Sequence, residues 1–121
     1  PKGQVNPRAL ATLKELGVDP GQPQSKSWDQ FARDDGPSLD LAITVCDSAA
    51  GESCPLFTGA PLRVHWGLPD PAGIVPEEAA REAFRRTALA LALRVGGLLQ
   101  ALDLPRQELG EHLRRIGHWP Y

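Results

Sequence analysis

A chain of 121 residues with 13 basic and 15 acidic side chains, net −2, is about one domain in size and lacks the positive excess that nucleic acid or an anionic membrane surface would select. The longest apolar run, Ala88 to Leu93, stops far short of the ~20 residues of a membrane span. Two cysteines make no disulfide scaffold, and no leader pattern opens the chain, so a cytoplasmic protein is expected. The opening Pro1-Lys2-Gly3-Gln4-Val5 reads as a connection rather than a start.

Asn6-Pro7 predicts a helix opening, with Asn as cap and Pro at the first helical position. Leu10, Leu13 and Leu16 give it an apolar stripe, and Gly17 suits its exit. Residues 18–26 are a Pro/Gln/Ser-rich loop. Ser27 and Gln30 have capping-box spacing and open a short turn that includes Phe31. Asp34-Asp35-Gly36-Pro37 is turn chemistry. The apolar run Leu39–Val45 predicts a buried strand, and a second strand is expected around 62–66. Pro76-Glu77-Glu78 opens a long helix with acids in its first turn. Its expected buried face is Phe84, Ala88, Leu91, Val95, Leu98 or Leu99, and Leu102. Gly96-Gly97 inside it implies close packing on the sheet or a kink. Leu104-Pro105 ends it, and a last helix runs from Arg106 to Ile116 with Gly117 at its stop.

The order α, short α, β, β, α, α argues an α/β fold. Two strands alone make a marginal sheet, so something that pairs with Leu39–Val45 is expected beyond them. Two strand exits carry chemistry. The first leads into Cys46-Asp47-Ser48-Ala49-Ala50-Gly51-Glu52-Ser53-Cys54-Pro55, a thiol at each end of a small-residue loop. The second leads through Gly67-Leu68-Pro69 to Asp70-Pro71, a carboxyl group pinned between two prolines. The C-terminal ends of strands are where open α/β folds hold ligands. The plain alternatives are a turn-starting Asp70, a small buried Cys46 and an ordinary loop thiol at Cys54. A seven-residue gap is not a zinc-ligand spacing, so no metal is expected. His65 suits a satisfied edge or core position. His112 and His118 fall on the last helix and its exit. Trp28, Phe31, Phe57 and Trp66 suit the core more than a site mouth.

Taken together, Ile43-Thr44-Val45-Cys46 through Cys54-Pro55, with His65-Trp66-Gly67-Leu68-Pro69-Asp70-Pro71-Ala72, resemble the arsenate reductases built on the low-molecular-weight protein tyrosine phosphatase fold. The opening Pro1 to Leu10, Ser25-Lys26-Ser27 and the tail from Ala101 to Gly117 are similar as well. The resemblance covers essentially the whole chain. It implies a three-layer α/β/α sandwich with a parallel sheet, here a single domain over residues 1–121 with 104–117 as a C-terminal helical extension.

The same resemblance implies thiol-coupled reduction of arsenate to arsenite. Asp70 would be the general acid, and Cys46 and Cys54 the redox thiols. No bound cofactor is expected, and the electrons would come from glutathione with glutaredoxin, or from thioredoxin. The departure is that the family's first strand–loop–helix–strand unit, with its Cys-x5-Arg oxyanion loop, is absent from these residues: Glu52 lies six positions after Cys46 and Ala60 six after Cys54. This chain alone is therefore expected to be inactive. Two other readings stand beside it. One is a phosphatase of the same fold acting on a phosphate oxyanion, which needs no extra thiols. The other is a non-catalytic module whose sheet is completed by a partner strand or by domain swapping into an oligomer.

Overall fold

The computed structural model describes residues 3–32, 35–45 and 59–121. Among them the architecture is α/β, with three α-helices and one two-stranded parallel sheet. Helix α1 spans Pro7–Glu15. Asn6 caps it as its sequence dictates: the side chain accepts from the Arg8 amide at 2.9 Å while Pro7 fills the position whose amide would be idle. Gly17, at φ +75°, takes the left-handed conformation after the helix.

A 3₁₀ turn follows at Trp28–Phe31, opened by Ser27. The expected reciprocal box is altered. Ser27 Oγ accepts from Asp29 N at 3.2 Å, and Gln30 Nε2 donates to the Ser27 carbonyl at 3.0 Å. A 3₁₀ turn brings residue 30 round to the carbonyl rather than to the amide that an α-helical box would pair.

Strand β1 is Leu41–Thr44, shorter than the apolar run Leu39–Val45, and strand β2 is Leu62–His65, within the expected 62–66. They pair in parallel, Leu41 opposite Leu62 through Thr44 opposite His65. The expectation that β1 is buried is corrected: all four of its residues are half-buried, because β2 pairs with one edge and no other strand is present among the described residues.

Helix α2, Glu77–Ala101, begins after Pro76, and α3 spans Arg106–Ile116. A 3₁₀ turn at Pro71–Gly73, absent from the sequence-based expectations, lies between β2 and α2. The core sits where β2 meets α3: Val64, Trp66, Leu113 and Ile116 are buried, with Leu41, Ile43, Leu98 and Leu109 packed around them. Trp66 is 2% exposed, and its indole N–H donates to the Leu113 carbonyl at 2.9 Å. The expected α2 face is corrected in phase. Phe84 is buried, but the rest of the buried set is Ala80, Ala90, Arg94, Gly97 and Ala101, while Val95 and Leu102 are exposed. Gly97 marks close packing, on α3 and the tail rather than on the sheet. A Cβ there would stand 2.9 Å from Ile116 Cδ1 and 2.8 Å from Trp119 Cη2. No helix of the described residues is long and apolar enough to cross a membrane.

Candidate functional site

Parallel pairing puts the C-terminal ends of β1 and β2 at one edge of the sheet. The pairing continues past both strands. Trp66 N donates to the Thr44 carbonyl at 2.7 Å, and Leu68 N to the Val45 carbonyl at 2.9 Å. Val45 directly precedes Cys46, and Leu68 stands two residues before Asp70. The backbone therefore holds the entrance of the thiol loop against the entrance of the acid loop. Cys46, Cys54 and Phe57 themselves lie outside the described residues.

Asp70 is exposed and serves as cap of the Pro71–Gly73 turn. Its Oδ1 accepts from Ala72 N at 2.9 Å. One carboxylate oxygen is thus engaged by the backbone, and Pro69 and Pro71 limit the rotation of the loop. The signal for this turn is Asp followed by Pro, the same cap-then-proline pair that opens α1.

An open groove of about 380 Å³ runs past Asp70, lined also by Gln4, Val5, Asn6, Ser25, Pro71, Ala72 and Phe84. Ser25 Oγ accepts from Gly3 N at 3.2 Å, tying the two polar walls together. Asn6 uses its Oδ1 on the α1 cap, and its amide nitrogen is not part of that bond. The groove therefore joins a carboxyl group to hydroxyl and amide groups, a set suited to an oxygen-rich ligand. Asn6 was legible in the sequence only as a cap, and Ser25 only as part of a similar tripeptide. Their neighbourhood with Asp70, some 45 to 64 positions away, has no local signature.

The exposed side of the sheet edge carries one more pair. Thr44 Oγ1 and His65 Nδ1 are 2.6 Å apart, directly opposite in the register. His65 is thus an edge histidine with a partner, as expected. Among the described residues no group of three His, Cys, Asp or Glu could hold a metal ion.

Comparison with known proteins gives consistent relatives. The chain is 35% identical over 92 residues to an arsenate reductase of Halalkalibacterium halodurans, a match covering 75% of this chain and 63% of that protein. It is 38% identical over 69 residues to an arsenate reductase 2 of Staphylococcus epidermidis, covering 57% and 50%. With the arsenate reductase of Bacillus subtilis the identity is 35% over 80 residues, covering 66% and 55%. No protein-family model matches the chain. The chain spans between half and two thirds of the length of these relatives.

Proposed function

We propose that this chain, a homologue of bacterial arsenate reductases along its matched residues, forms the larger part of such an enzyme and supplies its acid and its reducing thiols. The observation that carries this is the hydrogen bond from Leu68 N to the Val45 carbonyl, which sets the strand exits leading to Cys46 and to Asp70 side by side. The fold proposed for the complete unit is the three-layer sandwich of the low-molecular-weight phosphatases. Residues 1–121 form a single domain within it, and 104–117 form its C-terminal extension.

In the reaction a thiolate attacks the arsenic of arsenate, an As–S bond forms, and an As–O bond breaks. Asp70 gives its proton to the departing oxygen, which leaves as water. Asn remains able to accept the Ala72 amide, so the acid and capping roles of Asp70 are separable. A second thiol then attacks the sulfur bound to arsenic. A disulfide forms, and the electron pair of the As–S bond stays on arsenic, releasing arsenite. Cys46 and Cys54, joined by small residues, are the thiols assigned to this exchange. A thiol reductant of the thioredoxin or glutaredoxin class returns the disulfide to thiols. The nucleophile and oxyanion loop of the first attack are not among these 121 residues. The chain by itself is therefore proposed to be inert toward arsenate, with turnover belonging to the longer protein or to a complemented complex.

The test is arsenate-dependent oxidation of reductant by the protein as expressed, after its intact mass has been measured. The Asp70→Asn variant should lose about 10²–10⁴ of turnover with its melting temperature unchanged. The Cys46→Ser/Cys54→Ser variant should lose arsenate turnover and keep hydrolysis of an aryl phosphate. Full arsenate turnover in either variant would refute the roles assigned here.

A further inference from the structure

Arg94 is the charged side chain that the described core encloses. It is 1% exposed. Only Nη2 is used, donating to the Trp119 carbonyl at 3.0 Å. Nε and Nη1 are buried with no hydrogen-bond partner. Among the described residues no carboxylate lies within ion-pair distance of it. A guanidinium removed from water is stabilised when an anion faces it and its N–H groups are filled, and one neutral carbonyl supplies neither.

The carbonyl that Arg94 reaches belongs to a short segment without helix or strand, His118–Tyr121. Three contacts hold it on α2. The first is the Arg94 bond to Trp119. The second runs from Arg86 Nη2 to the Tyr121 main-chain oxygen at 2.8 Å. The third is the Trp119 ring, lying against Gly97. Trp119 and Tyr121 remain 39% and 53% exposed, so the segment is only partly sunk into the fold. The chain leading into it is basic, with Arg114, Arg115 and His118 and no acid after Glu111. The strap thus sets one neutral carbonyl, that of Trp119, on a cation whose strongest partners are oxyanions.

We propose that Arg94 is the base of a site for a small tetrahedral oxyanion, closed in this structure by the His118–Tyr121 strap. The anion would fill the idle N–H groups with charge-assisted bonds and displace the Trp119 carbonyl. Binding is therefore coupled to opening of the strap, and the ligand's affinity is reduced by the fraction of time the strap is shut. The space freed is that of four residues, which suits a free dianion better than a side chain carried on a protein surface. Arg94 is not among the residues that line the Asp70 groove.

Inorganic phosphate is the probe, titrated into the chain at constant ionic strength against chloride, with amide hydrogen exchange read at His118 and Trp119. Both amides are hydrogen-bonded in the closed state, to the Arg115 and Ile116 carbonyls at 3.0 Å each. Saturating phosphate should speed their exchange at least tenfold in the unaltered protein and leave Arg94→Met unaffected. Trp119→Ala, which loosens the strap and keeps Arg94, should bind phosphate at least threefold more tightly. Unchanged exchange, an equal response in Arg94→Met, or unaltered affinity in Trp119→Ala would each overturn the proposal. None of these readouts depends on arsenate turnover.

Discussion

Leu113→Ala and Leu93→Ala delete the same atoms from two helices, and the structure assigns them opposite outcomes. Leu113 on α3 is 0% exposed and belongs to the four-residue core with Val64, Trp66 and Ile116. Its carbonyl is pinned by the Trp66 indole at 2.9 Å, so the backbone around the deleted side chain cannot collapse freely. Buried Leu→Ala changes cost about 2.7–5 kcal/mol, more where relaxation is restricted, so about 3–4 kcal/mol is expected here. A chain of 121 residues unfolds with an entropy of about 250 cal/mol/K. The melting temperature should therefore fall by about 12–16 °C. Leu93 on α2 is 65% exposed. Truncating it should cost no more than about 0.5 kcal/mol, or about 2 °C, since Ala is also the better helix former. The assay is a thermal melt followed by far-UV circular dichroism. Two midpoints within about 4 °C of each other would refute the assignment. If both fall far, the outer face of α2 is covered in solution; if neither does, α3 is not docked on β2.

Trp66→Phe removes the indole donor without orphaning the acceptor, because Gly117 N also donates to the Leu113 carbonyl, at 3.1 Å. A loss of about 1–2 kcal/mol, mostly packing, is expected from urea denaturation, and a larger loss would mean that the indole bond matters beyond that carbonyl. Gly59→Ala strikes both backbone and space. Gly59 has φ +92°, and a Cβ there would meet Ser38 Oγ and stand 2.8 Å from the Leu39 carbonyl oxygen. A loss of about 2 kcal/mol or more should appear in the same denaturation, and a neutral result would show that this turn relaxes freely.

The parts of the fold that were legible in the sequence are those written in local chemistry. Asn6-Pro7 and the left-handed Gly17 frame α1, and Arg106 to Ile116 with Gly117 is the last helix as its stripe and stop foretell. The phase of α2 was not legible, for a physical reason. Between Thr87 and Leu102 Arg94 is the sole charged residue, so the apolar pattern surrounds the helix and names no face. Packing chose the face instead. At Gly97 the missing side chain lets Ile116 of α3 and the Trp119 ring approach; Ala90 and Ala101 are buried with it, and Val95 and Leu102 are left outside. The same limit applies to the site. Asp70 between prolines can be picked out by eye, whereas the groove it shares with Asn6 and Ser25 is made by tertiary structure alone.

The core also has a consequence for how the chain is made. Trp66 is sealed by Leu113, 47 residues later. At ribosomal rates of roughly 5–20 residues per second, β2 is finished about 2–9 s before its cover exists. Throughout that interval Val64 and Trp66 lack the α3 side of their core. Nascent chains of this protein should therefore engage holdase chaperones until α3 is synthesised, and ribosomes stalled before it should yield a product cleared by proteolysis.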